Sequence, residues 1–428
     1  MPRRVGSSIF SNRSFRFLFI GSLISVIGDH FTLVALPWLV LLLTGSATQL
    51  GLVSAVIALP RAGLMLVGGA VVDRMSPRLV LLNARAVNAA LVGLLAALVL
   101  TGAIHMWMLY AVAAGIGLST AFAGPANVSL LPQLLTSEQL QSANSALMGA
   151  QQLSMIIGPA MAGFVIKSSS GAAQAYGTHG TGIAFAIDAL SFLFSLGVLL
   201  VIRVEGDRQP ATPAGGILNN LLEGGRALWR DSQLRALIGY SVAVSVLVAG
   251  PMQVALPLLA KTRLAQGAAA LGVLGTANGV GVLLGSMISG PLIRLTRGRL
   301  GLMLLAENAL VGFAVAAMSG VHSLFGGTSM LVAIGLLEGT VQIGMLTWLQ
   351  RRVPQALMGR TMSVLMLVSS ALAPLSAAVA GSLIQELMLT GLLIGAGLSL
   401  SAIALFGLSR PVLRAIQLTA AAQPVAGE

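Results

Sequence analysis

Two oppositely charged residues lie inside apolar segments near the start of the chain. Asp29 and Arg61 each stand roughly 12 residues into their segment, or about 18 Å along a helix. That depth is close to the middle of a bilayer, where a charge costs at least about 2.5 kcal/mol unless it is paired or faces water. We therefore expect Asp29 to pair with Arg61. The pair would be either a proton-coupling site or a static ion pair that holds two helices together.

Two carboxylates occupy apolar segments later in the chain. Glu338 lies at the middle of its segment, and Glu307 lies nearer the predicted cytoplasmic end of the preceding one. Neither has a basic residue at its depth, so each is expected to be protonated or to face water, and both are candidates for proton coupling. Gln342 follows Glu338 by one helical turn and shares its face. We assign Asp188, in another apolar segment, a structural role. The predicted substrate cavity is mostly apolar and includes Trp38, Met252, Glu338, Gln342 and Met345.

The elements that carry these residues are predicted to be transmembrane helices. Of the 428 residues, 56% are hydrophobic and only 8% are charged, which excludes a soluble globular domain. A span needs about 20 mostly apolar residues. Twelve such segments are present, at about 17–43, 48–72, 79–101, 105–131, 141–167, 181–202, 233–260, 267–293, 300–320, 323–349, 356–385 and 389–409.

The basic residues predict how the helices are oriented. Most of the 24 Lys and Arg residues stand at the two ends of the chain or in every second gap between segments. Basic loops remain cytoplasmic, so both termini are expected in the cytoplasm and the protein in the inner membrane. The net charge of +12 is then a rim that faces anionic membrane lipids, and nucleic acid is not expected as a partner. With no cysteine and no metal-binding or hydrolase motif, we predict no metal, no cofactor and no enzymatic activity.

The sequence predicts two related halves. Val34-Ala-Leu-Pro37 returns as Val254-Ala-Leu-Pro257, and other short matches recur at a nearly constant offset. Parallel six-helix repeats predict a central cavity between the halves and alternating access to it. We predict an N-terminal half at 1–203, a linker at 204–232, a C-terminal half at 233–410 and a cytoplasmic tail at 411–428.

A charged cluster follows the second segment. Gly69-Ala-Val-Val-Asp73-Arg74-Met-Ser-Pro-Arg78 joins segments 2 and 3, and Arg85 lies two turns further on. An acid at a helix end can pair with arginine or with the positive N-terminus of another helix. We therefore predict that Gly69, Asp73, Arg74, Arg78 and Arg85 form a latch on the cytoplasmic side.

These motifs resemble the major facilitator superfamily. The cluster at 69–78 is similar to its loop motif between spans 2 and 3, although Pro77 stands where that motif has glycine. Gly158-Pro159-x-x-Ala162-Gly163 resembles its antiporter motif in span 5. Asn12-Arg-Ser-Phe-Arg16, Gly28-Asp29 and Glu223-Gly-Gly-Arg226 resemble the drug:proton antiporter-3 group, which includes macrolide, tetracycline and enterobactin exporters.

The resemblance implies an all-α membrane protein with twelve helices in two pseudo-symmetric halves. It implies that Asp73 helps to lock the outward-open state and that Gly158, Pro159 and Gly163 shape span 5. Segment 4 lacks the intramembrane arginine of many proton antiporters, which raises the weight of Asp29 and Arg61.

We predict a monomeric exporter that moves small amphipathic or hydrophobic compounds out of the cytoplasm in exchange for protons. Two alternatives remain within transport, namely a lipid or lysolipid flippase and a proton-independent facilitator. A receptor or scaffold that does not transport is the alternative from another class.

Overall fold

The structure is a computed structural model that describes residues 9–74, 76–169, 177–202, 231–353 and 355–417. All regular elements in these ranges are helical. A short 3₁₀ turn at Ile9–Ser11 precedes the first long helix. Eleven helices in the described ranges are long and apolar enough to cross a membrane.

Six helices occupy the first part of the chain. They are α1 Arg13–Thr44, α2 Ala47–Arg74, α3 Pro77–Leu100, α4 Met106–Leu134, α5 Ser137–Ser168 and α6 His179–Val201. Pro77 starts α3 at its first helical position, where its missing N–H would have had no intrahelical partner. Pro159 lies inside α5, and the helix continues through it.

The remaining helices are α7 Ser232–Arg263, α8 Ala268–Leu295, α9 Leu300–Ala317, α10 Leu324–Arg352 and a long helical stretch at Gln355–Leu408, followed by the single turn Pro411–Arg414. A π-helical turn at Ser245–Ala249 interrupts α7. The long stretch is broken at Met388, whose φ of 59° and ψ of 165° are not helical. We therefore treat residues 355–387 as α11 and residues 389–408 as α12.

The twelve predicted segments correspond one to one to α1–α12. The break at Met388 falls between the predicted segments 356–385 and 389–409, because the 54 residues of the stretch are too many for one span. The predicted fold class, an all-α membrane protein, is confirmed, with eleven candidate spans in the described ranges, or twelve once the long stretch is divided at Met388. Exposed apolar side chains such as Leu33, Leu295 and Phe325 fit a surface that faces lipid, where they need no protein partner.

The chain divides into two compact units. Unit 1 contains Met1–Leu43 and Leu59–Pro213, and unit 2 contains Thr44–Ala58 and Ala214–Glu428. The start of α2 therefore belongs to unit 2, where Thr48 donates a hydrogen bond to the carbonyl of Gly381 in α11 at 3.0 Å. Most of the predicted linker, residues 203–230, and the tail beyond residue 417 lie outside the described residues. The predicted halves at 1–203 and 233–410 stay a prediction.

An ion pair fixes the start of α7 within unit 2. Asp231 caps the helix by accepting from the backbone N–H of Gln233 at 2.9 Å, and its other oxygen lies 2.8 Å from Nε of Arg352. Burial by itself raises the pKa of Asp231. The hydrogen bond and charge of Arg352 and the bonds from the Gln233 and Leu234 N–H groups outweigh burial and hold that pKa below its usual value.

Glycines bring the backbones of α8 and α10 into contact. Gly281 and Gly285 are four residues apart on α8, and Gly335 and Gly339 have the same spacing on α10. A Cβ atom at any of the four would overlap a backbone atom of the facing helix. Small residues at this spacing let two helices approach closely and gain van der Waals contact in a membrane, where no hydrophobic force joins them.

Candidate functional site

A buried arginine lies at the centre of a polar cluster in unit 1. Arg85 on α3 is only 7% exposed, and its Nη1 donates a hydrogen bond to the hydroxyl of Ser25 on α1 at 2.6 Å. Its guanidinium lies over the ring of Phe192 on α6, with 5.4 Å from the carbon to the ring centroid. Nε of Arg85 is buried and has no hydrogen-bond partner among the described residues. Three helices therefore hold one cation inside the unit.

Two carboxylates share this cation. The strongest electrostatic attraction of Asp29 on α1 is to Arg85, and a weaker one is to Arg61. Asp188 on α6 is 1% exposed and interacts with both Asp29 and Arg85. The cluster therefore contains the half-buried acid Asp29, the buried acid Asp188 and the buried base Arg85, which we call the unit 1 triad.

Short side chains hold Asp188 against α1. Thr32 on α1 donates a hydrogen bond to one carboxylate oxygen of Asp188, and the Ser191 hydroxyl lies 3.2 Å from the other. Gly28 makes this approach possible, because a Cβ there would overlap Ser191 and lie 2.8 Å from Oδ1 of Asp188. The Gly28-Asp29 pair seen in the sequence thus combines a contact surface for α6 with the first acid of the triad.

Arg61 does not occupy the position that the sequence led us to expect. Its side chain is exposed on α2, and no ion pair within 4.0 Å joins it to Asp29. Equal depth in the membrane was the basis for that pairing, but depth says nothing about which way a helix face points. Arg85 is buried in unit 1 and interacts electrostatically with Asp29 more strongly than Arg61 does, while its predicted part in the cytoplasmic latch stays a prediction.

The antiporter motif in α5 packs beside the triad. A Cβ at Gly158 would lie 2.6 Å from the Cβ of His30, so the absent side chain gives room for the imidazole next to Asp29. Pro159 and Gly163 are also buried. Nδ1 of His30 is buried and has no hydrogen-bond partner among the described residues. The motif therefore shapes the surroundings of the residue that follows Asp29.

The residues predicted to form the latch are only partly described. Arg78 donates from Nε to the carbonyl of Leu199 at 3.1 Å and from Nη2 to that of Leu200 at 3.0 Å. It thereby satisfies free carbonyls in the last turn of α6, where a cation is favourable. The structure does not describe the surroundings of Gly69 or the side chains of Asp73 and Arg74, so the role of these residues as a latch stays a prediction.

A second polar group lies in unit 2. Glu338 on α10 is exposed, and its Oε2 accepts a hydrogen bond from Asn278 on α8 at 3.3 Å. Glu307 on α9 is buried and interacts electrostatically with Glu338 and with Tyr240 on α7. Oε2 of Glu307 and the hydroxyl of Tyr240 are both buried without a hydrogen-bond partner in the described part of the chain.

The glycine contact positions this second group. Gly335 and Gly339 flank Glu338 on α10, and their facing atoms on α8 belong to Asn278 and Val282. The close approach of the two backbones therefore brings the Asn278 amide within reach of Glu338. Of the other predicted cavity residues, Gln342 is exposed and Met252 and Met345 are half-buried, whereas Trp38 is buried in unit 1. Their contribution to a cavity stays a prediction.

The sequence did not identify Asp188 and Arg85 as residues that interact with Asp29. Asp188 was assigned a structural role because it stands in the outer part of α6, and Arg85 was assigned to the latch. Ser191, three residues after Asp188 and so on the same helical face, was the available signal for a polar surface turned inward. In the described ranges, no group of three or more His, Asp and Glu side chains could hold a metal ion.

The helices and their buried charges define a polytopic membrane transporter, and the comparisons agree. The fold is shared with the crystal structure of the nucleoside transporter NupG, with a TM-score of 0.72 at 11% identity over 94% of this chain and 100% of that one. It is also shared with the inward-facing structure of a bacterial homologue of the iron transporter ferroportin, with a TM-score of 0.68 at 17% identity and the same coverage.

The family follows from the sequence. The family model described as transmembrane secretion effector matches residues 6–424, so the chain belongs to that family of the major facilitator superfamily. The chain is 28% identical over 422 residues to the multidrug efflux pump Tap of Mycobacterium tuberculosis, covering 95% of this chain and 96% of Tap. It is 27% identical over 359 residues to the enterobactin exporter EntS of Salmonella typhimurium, covering 83% and 81% respectively. The protein is therefore a membrane transporter and not an enzyme.

Proposed function

We propose that this transporter exports small amphipathic or hydrophobic compounds across the inner membrane by proton antiport, with alternating access and with both termini in the cytoplasm. The names of its relatives support export: Tap is a multidrug efflux pump and EntS is an enterobactin exporter. The proposal that protons drive the export rests on the unit 1 triad. The monomer, with protons, a small-molecule substrate and membrane lipids as its partners, is the assembly we propose.

The observation that carries the proposal is the charge balance of the triad. With both acids ionised, the two negative charges of Asp29 and Asp188 exceed the one positive charge of Arg85, so the triad carries a net charge of about −1. An uncompensated charge buried inside a membrane unit costs several kcal/mol. One proton on either acid makes the triad neutral, so the cluster has a place for one exchangeable proton without the help of a second base.

The position of the triad ties this proton to movement of the helices. Arg85 is on α3, Asp29 on α1 and Asp188 on α6, so a proton that leaves or enters changes the attraction between three helices at once. Gly158 on α5 leaves room for His30, the residue after Asp29, which extends the same connection to α5. We propose Asp29 as the exchanging acid, because Asp188 is already held by hydrogen bonds from Thr32 and Ser191. Arg61, exposed on α2, also interacts electrostatically with Asp29, more weakly than Arg85 does.

Unit 2 supplies the proposed substrate contacts. Glu338 is exposed, and in the described part of the chain only its Oε2 accepts a hydrogen bond, from Asn278. A carboxylate held in this way suits a cationic or hydrogen-bond-donating group on an otherwise apolar compound. Glu307, buried behind it, is a second candidate for proton binding, because no ion pair joins it to a base in the described part of unit 2.

The experiment measures uptake driven by a proton gradient. A screen for compounds that raise the thermal unfolding midpoint of the purified protein first supplies a ligand. Proteoliposomes with an imposed pH gradient are then compared for wild type, Asp29→Asn and Glu138→Gln. Glu138 is an exposed acid in the first turn of α5, so its variant is the matched control for removal of a carboxylate.

We expect Asp29→Asn to bind the ligand but to lose uptake that depends on the gradient, while Glu138→Gln behaves as wild type. Full gradient-driven uptake by Asp29→Asn would refute the assignment of Asp29. Wild-type transport that ignores the gradient would indicate the facilitator alternative, and transfer of labelled lipid between leaflets would indicate the flippase alternative. Binding without any transport would indicate a receptor.

A further inference from the structure

A groove lies on unit 2 at the end that the charge pattern predicts to be cytoplasmic. It has a volume of about 390 Å³ and lies between the first turns of α7, the last turns of α12 and the turn Pro411–Arg414. This volume falls within the range of about 300–1,000 Å³ that is usual for small-molecule sites. Neither Glu338 nor any residue of the unit 1 triad lines it.

The walls of the groove are apolar and open outward. Ile403 and Phe406 on α12 are 38% and 60% exposed. The lining around them also includes Ala236, Tyr240, Ala243, Gly407, Val412 and Leu413. Gly239 on α7 leaves one side open, because no atom lies within 4 Å of the Cβ that it lacks. An apolar channel on the outside of a transmembrane helix pair is filled by hydrocarbon, since water there would gain nothing from the walls.

Two arginines stand at the polar end of the groove. Arg235 lies in the first turn of α7 and Arg410 follows the end of α12, and both line the groove. The guanidinium of Arg410 lies over the ring of Phe406, 4.8 Å from its centroid, which holds the cation directly above the apolar wall. Among the described residues, the lining contains no acid. The groove is therefore positive at one end and apolar along its length.

We propose that this groove binds an anionic phospholipid of the cytoplasmic leaflet. The phosphate would accept hydrogen bonds from Arg235 and Arg410, whose planar guanidinium groups match two oxygens of a phosphate. The hydroxyl of Ser232, which also lines the groove, adds a donor at the same end. An acyl chain would lie between α7 and α12 along Phe406 and Ile403. A basic pocket between transmembrane helices on the cytoplasmic side is the usual form of such a site.

The apolar length of the groove distinguishes a lipid from a soluble anion. A free phosphate would meet the two arginines but would leave the Phe406 and Ile403 walls uncovered. A zwitterionic lipid would cover the walls but would bring a second positive charge close to Arg235 and Arg410. An anionic lipid satisfies both ends at once.

The test uses the full-length protein, freed of lipid in detergent and titrated with phosphatidylglycerol, phosphatidylcholine or inorganic phosphate. Bound lipid is counted by native mass spectrometry, and the thermal unfolding midpoint is recorded in parallel. The variants are the double substitution Arg235→Gln with Arg410→Gln, the groove-filling Gly239→Leu, and the control Arg294→Gln. Arg294 is an exposed arginine near the end of α8 that does not line the groove.

We expect wild type and Arg294→Gln to bind phosphatidylglycerol at least about tenfold more tightly than phosphatidylcholine, or about 1.4 kcal/mol. The double variant should lose that preference, and Gly239→Leu should lose binding while all its charges remain. The proposal would be overturned if the double variant and Gly239→Leu both bound phosphatidylglycerol as tightly as wild type does. So would an equal rise in the midpoint with inorganic phosphate, which would indicate a soluble-anion site, or equal binding of the two lipids.

Discussion

Removal of the Arg85 charge tests whether the triad is balanced as the structure indicates. In Arg85→Leu, Asp29 and Asp188 lose the buried cation that they share, Ser25 loses a charged donor at 2.6 Å, and Phe192 loses the cation over its ring. Removing one partner of a buried polar group costs about 1–3 kcal/mol, and more for charged groups, because the group left behind stays buried without compensation. We expect a loss of free energy of unfolding in that range.

The control is the arginine that the sequence had favoured. Arg61 is exposed and makes no ion pair with Asp29 within 4.0 Å, so Arg61→Leu should change the free energy of unfolding by less than about 0.5 kcal/mol. The free energy of unfolding of both variants is measured by equilibrium denaturation in mixed detergent micelles at pH 7, followed by the loss of helical circular dichroism. The comparison asks which arginine is the partner of Asp29.

A rescue variant separates charge from packing. The combination Asp29→Asn, Arg85→Leu and Asp188→Asn removes all three charges, and an amide at position 188 still accepts from Thr32. We expect it to regain roughly half or more of the stability that Arg85→Leu loses, because no uncompensated charge remains. If Arg85→Leu were as stable as wild type, or if the triple variant were no more stable than Arg85→Leu, the charge-balance reasoning would be refuted.

Two further predictions concern unit 2. Gly285→Ala places a Cβ against the Leu336 carbonyl, and this overpacking should lower the free energy of unfolding by about 1–3 kcal/mol. Gly290→Ala places its Cβ in open space and should raise the free energy of unfolding by about 0.5–1 kcal/mol. Equal thermal midpoints for the two variants would contradict the backbone contact. The folded-state pKa of Asp231 lies below its unfolded value of about 3.9, so its carboxylate stabilises the fold fully above that value and progressively less as the pH falls through the folded-state pKa. The stability difference between wild type and Asp231→Asn should therefore be largest near neutral pH and narrow below about pH 4, and a difference independent of pH would contradict the ion pair with Arg352.

The sequence was sufficient for the number of helices and their ends. Hydropathy is read along the chain, and a transmembrane helix must satisfy its own backbone hydrogen bonds, so each apolar segment specifies one element. Even the break between α11 and α12 was predicted, although Met388 is neither Gly nor Pro. The length of the apolar stretch required an interruption there, because one span takes only about 20 residues.

The partner of Asp29 could not be predicted in the same way. Hydropathy gives the depth of a residue but not the azimuth of its side chain around the helix, and pairing depends on both. Arg61 matched Asp29 in predicted depth, but its side chain is exposed and makes no ion pair with Asp29 within 4.0 Å. Arg85 interacts with Asp29 more strongly, but it was assigned to the latch because it is close in sequence to the charged loop at 69–78. The Gly28 and Ser191 contact, which brings Asp188 to the cluster, joins residues far apart in the chain and leaves no periodic signal.

The glycine seam between α8 and α10 restricts how this protein can change over evolution. Where the two main chains touch, no residue larger than glycine fits. Substitutions are therefore not tolerated at the four positions of this contact, Gly281, Gly285, Gly335 and Gly339. Variation is left to exposed positions beside the seam, such as Gln342, three residues after Gly339. A constant glycine contact beside variable exposed positions would let a lineage exchange one cargo for another while Glu338 and Asn278 keep their hydrogen bond. Laboratory selection for new substrates should then collect substitutions around Gln342 and none along the seam.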